Sequence, residues 1–196
     1  VHGSRGLGDV YKRQDLKMTM MGTVFGAVGT CGQRCTSTRR LIVHEKVYDK
    51  VKDSLIKAYN QIKIGDPLDS NNHVGPLIDK QAVESYENAI SQVNDQGGIW
   101  LVEGEVLSGD KYSSGCYVKP AIAEVNHSLK IVHKETFAPI LYLMKYSGDI
   151  QNAIEIQNEV DQGLSSAIMT NNLKEAETFL SHWGSDCGIA NVNIGT

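Results

Sequence analysis

Cys35 is the residue in this sequence best suited to do chemistry. It closes the stretch Gly29-Thr30-Cys31-Gly32-Gln33-Arg34-Cys35-Thr36, where small residues lead up to a cysteine beside an arginine. A thiol reacts when it is partly exposed, when cations or hydrogen-bond donors favour thiolate, and when the backbone leaves room for a substrate. Gly29 and Gly32 permit a tight turn and a close approach, Arg34 brings a permanent cation, and Thr36, Ser37 and Thr38 supply hydroxyls. The same residues are compatible with a buried, inert cysteine, the commoner fate of a free thiol. On local chemistry alone both readings stay open.

The surrounding elements must hold that stretch in place. Residues 15–28, dense in Met, Gly, Ala and Thr, suit a helix packed closely against a neighbour, with Cys35 just past its end. Beyond Thr38 the pattern alternates. Residues 41–43 read as a buried strand, and Val47, Val51, Leu55, Tyr59 and Ile62 recur at helical spacing until Gly65-Asp66-Pro67 stops them. Asp79 can cap a helix with the apolar face Val83, Tyr86, Ala89, Ile90 and Val93, ending at Gly97-Gly98. Gln81 lies in its first turn. Residues 99–102 and 117–125 read as strands, the second placed at an edge or made irregular by Pro120. Residues 139–144 form an apolar run suited to burial on both faces, and Asp149 begins another helix. A strand at 165–170, a helix at 173–183 and a strand at 188–193 complete the chain. Strands alternating with helices of this length imply an α/β fold, a mostly parallel sheet with helices on both faces.

Two separated motifs then carry a resemblance. The run G-T-x-G-Q-R-C-T followed by T-R-R-L-I-V-H resembles the active-site cysteine segment of the aldehyde dehydrogenase superfamily. Far downstream, His133-Lys134-Glu135-Thr136-Phe137-Ala138-Pro139 resembles that family's E-T-F-x-P element. The closing Gly184-Ser185-Asp186-Cys187-Gly188-Ile189 and Asn191-Val192-Asn193 resemble one branch, which acts on amino-acid-derived semialdehydes. The resemblance runs from about Asp15 to Thr196.

It implies NAD(P)-dependent oxidation of a small aldehyde to a carboxylate. In that scheme Cys35 attacks the carbonyl, its own backbone N–H helps to hold the resulting oxyanion, hydride leaves to the nicotinamide, and water hydrolyses the thioester. Glu135 would accept hydrogen bonds from the nicotinamide ribose diol, and Phe137 would offer an apolar surface near the ring. Arg34 would meet the charged end of the semialdehyde, as a guanidinium can meet a carboxylate. NAD is the expected cofactor, with NADP left open. In the family the general-base glutamate, the second oxyanion donor and most of the dinucleotide site precede the cysteine helix, and a substrate-anchoring loop and oligomerisation strands follow. The expectation is therefore a catalytic-domain fragment over residues 15–196, truncated at both ends and inactive alone, cut from a homo-oligomer. Residues 1–14 do not match that run-up and read as a foreign tail, such as a cloning or sequencing-adaptor remnant.

Composition narrows the field. A net charge of -4 and a pI near 5.9 provide no basic footprint for nucleic acid, and the apolar runs fall short of the roughly 20 residues of a membrane helix. Four cysteines without a C-x-x-C pair point to a reducing compartment and away from a metal site, with a Cys31–Cys35 disulfide left open. Cytoplasm is the default location, and mitochondria stay open. Two other functions remain: a cysteine hydrolase or acyltransferase using one of six histidines as base, and a non-catalytic fragment.

Overall fold

Three apolar runs pair side by side in this protein, and that pairing decides where the chemistry sits. The computed structural model describes residues 16–196, so the expected tail at 1–14 and the domain start at Asp15 lie outside the described residues. In chain order the elements are α1 (Leu16–Val28), a tight turn (Gly29–Gly32), β1 (Arg40–His44), α2 (Tyr48–Tyr59), α3 (Lys80–Asp95), β2 (Ile99–Val102) and β3 (Ala121–Glu124). They continue with β4 (Ile140–Tyr146), α4 (Ile150–Asn158), β5 (Ser165–Ile168), α5 (Leu173–Leu180) and β6 (Ile189–Val192).

Four strands form one sheet in the order β1-β4-β3-β2, and β5 pairs with β6 separately. β1 and β3 both run parallel to β4, with Leu41 opposite Leu143 and Ile122 opposite Leu141, whereas β2 joins antiparallel. The mostly parallel α/β arrangement is thus present. Every residue of β1 is buried, and in β4 only Lys145 is exposed, as expected of strands covered on both faces. Against them pack the apolar stripes of the helices: Tyr48, Val51, Leu55 and Tyr59 on α2, and Val83, Tyr86, Ala89 and Val93 on α3. Each fully buried aliphatic side chain of this kind contributes about 1.5–3 kcal/mol.

The helix ends follow the local chemistry. Asp79 Oδ1 accepts the Ala82 N–H at 2.8 Å, and Asp149 Oδ1 accepts that of Gln151 at 3.0 Å, so each aspartate satisfies a first-turn donor. At the far end of α3, Gly97 takes φ 81° while Gly98 N–H returns to Val93 O at 2.9 Å.

Several details differ from expectation, among them the start of β3 at Ala121 and not at residue 117. α2 stops at Tyr59, before Gly65-Asp66-Pro67, because the chain turns and Ile64 bridges Val74. α5 stops at Leu180, where the Ser181 hydroxyl accepts the Trp183 N–H. β3 is an interior strand: Pro120 lies just before its first residue, so the ladder needs no N–H from it.

β1 and β4 are parallel neighbours, so their amino ends meet. Cys35 lies five residues before Arg40, and Glu135 lies five before Ile140. Both run-ups therefore arrive at the same end of the sheet.

Candidate active site

The last four carbonyls of a helix have no donor within it. At the end of α1 the chain supplies them by folding back: Thr38 N–H donates to Gly26 O at 2.9 Å, and Arg34 Nη2 donates to Phe25 O at 3.1 Å. The Arg34 guanidinium also lies 4.9 Å from the centre of the Phe25 ring. Arg34 is therefore placed on α1, as a cationic cap and ring partner.

Between α1 and Cys35 the backbone takes three consecutive left-handed residues: Thr30 at φ 52°, Cys31 at φ 55° and Gly32 at φ 67°. For Thr30 and Cys31 this costs about 1–2 kcal/mol each. Several contacts hold the turn. Gln33 Nε2 donates to Thr30 O and Pro76 O, both at 3.3 Å, and its Oε1 accepts the Ile78 N–H at 2.8 Å. The Cys31 side chain is buried in the core, where desolvation pushes its thiol up to about 12 and keeps it protonated. Cys31 and Cys35 are both free thiols, with no disulfide between them.

Cys35 is exposed. Arg34 N–H donates to Ser37 Oγ at 3.1 Å and Ser37 N–H returns to Arg34 O at 3.0 Å, a reciprocal pair that brackets Cys35 and Thr36. The tight turn, the bracket and the contacts to α1 together present the thiol on a short, well-tied loop.

The second motif reaches the first at Gly32. A Cβ on Gly32 would lie 2.7 Å from Ala138 C and O and 2.8 Å from Pro139 N, so only glycine allows the two backbones to meet. In the same motif Phe137 is left-handed at φ 57° and 36% exposed, a strained posture of the kind that collects at functional sites. Glu135 is mostly covered, and Arg39 Nη2 lies 2.9 Å from its Oε1 as an ion pair, without the alignment of a hydrogen bond.

Arg39 escaped the sequence reading. Its Nη1 donates to Ser37 O at 3.1 Å and its Nη2 to Arg34 O at 3.2 Å, while its guanidinium carbon sits 5.4 Å from the centre of the Phe137 ring. Burial lowers its pKa, and Glu135 first, then Cys35 and Tyr142, push it back up. The guanidinium stays charged. One side chain thus touches the backbone on both sides of Cys35 and the two side chains expected to meet a cofactor.

The aldehyde dehydrogenase family profile matches residues 8–196. The chain belongs to the aldehyde dehydrogenase family. Among curated relatives, the family 7 member A1 homolog of Caenorhabditis elegans is 50% identical over 185 residues, covering 93% of this chain and 34% of the relative. The alpha-aminoadipic semialdehyde dehydrogenase of Rattus norvegicus is 45% identical over 187 residues, covering 95% and 34%. A solved 3,6-anhydro-L-galactose dehydrogenase, in complex with NAP, superposes at TM-score 0.93 with 29% identity, over 99% of this chain and 40% of that one. This aldehyde dehydrogenase chain spans about a third of the length of the curated relatives it matches.

Glu135 and Phe137 could hold one end of a dinucleotide: a carboxylate paired through one oxygen with Arg39, two residues from an exposed phenylalanine. Two of the histidines are held by backbone carbonyls. His44 Nε2 pairs with Gly148 O at the carboxyl end of β1, about 13 Å of strand from the cysteine end, and His133 Nε2 pairs with His127 O. Gln81 is exposed. Among the described residues no group of three metal-ligating side chains occurs, and no helix is long and apolar enough to cross a membrane.

Proposed function

We propose that this chain supplies the nucleophile and one side of the cofactor site of an NAD(P)-dependent aldehyde dehydrogenase. Its substrate in this reading is an amino-acid-derived semialdehyde of the α-aminoadipic type. The observation that carries the reading is the meeting of the exposed Cys35 loop with the Glu135–Phe137 segment at one end of the sheet, closed by Gly32 and Arg39. The substrate class rests on the relatives of 45% and 50% identity, one of which is named for that semialdehyde.

In this reading Cys35 attacks the aldehyde carbon to form a thiohemiacetal, and the Cys35 N–H faces the developing oxyanion. Glu135 binds the ribose diol, and Phe137 limits where the ring can lie. The chemistry that a bound nicotinamide supplies is acceptance of a hydride. The catalytic base, the second oxyanion donor and the rest of the dinucleotide site come from segments beyond this chain in the whole enzyme, a homo-oligomer in this reading, and residues 15–196 alone do not turn over.

The test is to express the complete reading frame that contains this segment and follow NAD(P)H formation with the semialdehyde. Cys35→Ala should abolish turnover while leaving cofactor binding within about twofold. Turnover that survives Cys35→Ala, or iodoacetamide labelling of Cys35 no faster than of Cys187, would overturn the reading.

A further inference from the structure

Cys35 and Glu135 belong to segments about a hundred residues apart, yet one buried guanidinium holds both. We infer that Arg39 is a positioning residue that locks the nucleophile loop to the cofactor-facing segment, so that occupancy of one is felt at the other. The inference rests on the dehydrogenase reading above.

The side chain of Arg39 is 8% exposed and that of Glu135 17%. Its two terminal nitrogens reach the carbonyls of Arg34 and Ser37, which flank Cys35, and one of them also reaches Glu135 Oε1. A planar fork can hold two carbonyls and a carboxylate at once, whereas an ammonium is a point charge with no fixed plane. Phe137, held left-handed, lies against the same guanidinium. Removing the fork takes the side-chain donor from the Ser37 carbonyl, leaves the Arg34 carbonyl only the Ser37 N–H, and strips a largely covered carboxylate of its cation. A ribose diol that draws on Glu135 must therefore shift the hold that Arg39 has on the Cys35 loop, and a thiolate at Cys35 acts back on the same cation. Arg39 does not touch the aldehyde in this scheme. It acts through the carbonyls and Glu135.

The experiment uses the polypeptide from the complete reading frame as wild type, Arg39→Met, Arg39→Lys, Glu135→Gln and the Arg39→Met/Glu135→Gln double variant. NAD affinity, melting temperature and the pH profile of Cys35 alkylation with and without NAD are measured for each. In the wild type NAD should change the alkylation rate of Cys35. Arg39→Met should weaken NAD by about tenfold and make the alkylation rate independent of NAD, with kcat/KM down about 10- to 100-fold. Glu135→Gln should add less than about twofold in the Arg39→Met background, since both act through one contact. Arg39→Lys should recover less than half of the loss. A folded Arg39→Met protein that keeps wild-type NAD affinity and NAD-dependent alkylation overturns the inference. If Arg39→Met fails to fold, Arg39→Lys carries the same readouts, and wild-type behaviour there overturns it equally. A wild type that binds no nicotinamide nucleotide overturns the dehydrogenase reading as well, so the two failures are distinct.

Discussion

Replacing Gly32 with alanine tests the claim that the two motifs are held together by backbone contact. Two costs apply. Gly32 sits at φ 67°, where a Cβ costs about 1–2 kcal/mol, and that Cβ would press on Ala138 C and O at 2.7 Å and Pro139 N at 2.8 Å. These are backbone atoms at the entry to β4, which cannot swing aside as a side chain does, so overpacking adds about 1–3 kcal/mol. Alanine also stiffens the unfolded chain and returns about 0.4–1 kcal/mol. The net expectation is a loss of about 1–5 kcal/mol, centred near 3. Gly97 is the control: it is also left-handed, at φ 81°, but a Cβ there meets nothing within 4 Å. Gly97→Ala should therefore show the conformational cost alone, about 1 kcal/mol. The assay is urea unfolding of both variants with a shared m-value, together with the alkylation rate of Cys35 in the folded protein. If Gly32→Ala is no more destabilising than Gly97→Ala, the close approach does not exist as described and the site loses its main junction.

Other outcomes follow from the same geometry. Burial pushes Cys31 from 9.0 up to about 12, so the folded state keeps a proton that the unfolded chain loses above pH 9. That stability is fully present below pH 9 and declines by up to about 1.4 kcal/mol per pH unit between 9 and 12; Cys31→Ala should flatten this part of the alkaline unfolding curve, and an unchanged slope would refute it. Arg34→Ala removes the cation at the end of α1 and should cost about 1 kcal/mol in thermal unfolding. The same variant's selectivity between the amino-acid semialdehyde and a plain aldehyde of equal length tests the expected substrate role of Arg34, and a change within about twofold of wild type would count against it. A tenfold fall would instead put Arg34 in the substrate site.

How far the sequence could be read depended on how local each signal was. The stripes of α2 and α3 and the caps Asp79 and Asp149 were legible because helix spacing and first-turn donors are decided within a few residues. The end of α2 was not. Ile62 keeps the helical spacing, but the bridge of Ile64 to Val74 lies outside any helical window. Cys35, Glu135 and Phe137 could be picked out by motif, and the structure brings them to one end of the sheet. Arg39 had no local signature: its partner is Glu135, and only the adjacency of β1 and β4 puts the two together. Arg34 showed only half of its setting in the sequence: the cation beside the thiol was legible, but its contacts to Phe25 O and the Phe25 ring were not. Thr30 and Cys31 are left-handed without being glycine, which no propensity would indicate.

Because the thiol and the Glu135 segment both precede their strands, the opposite rim of the sheet lies a full strand length from them. The β4–α4 turn, with Ser147, Gly148 and Asp149 all exposed, sits at that far rim. A fluorophore or a short insertion there would ride on β4, the strand that follows the Glu135 segment, while staying the full length of the strand from Cys35. The fold thus offers a handle for watching the site without touching it.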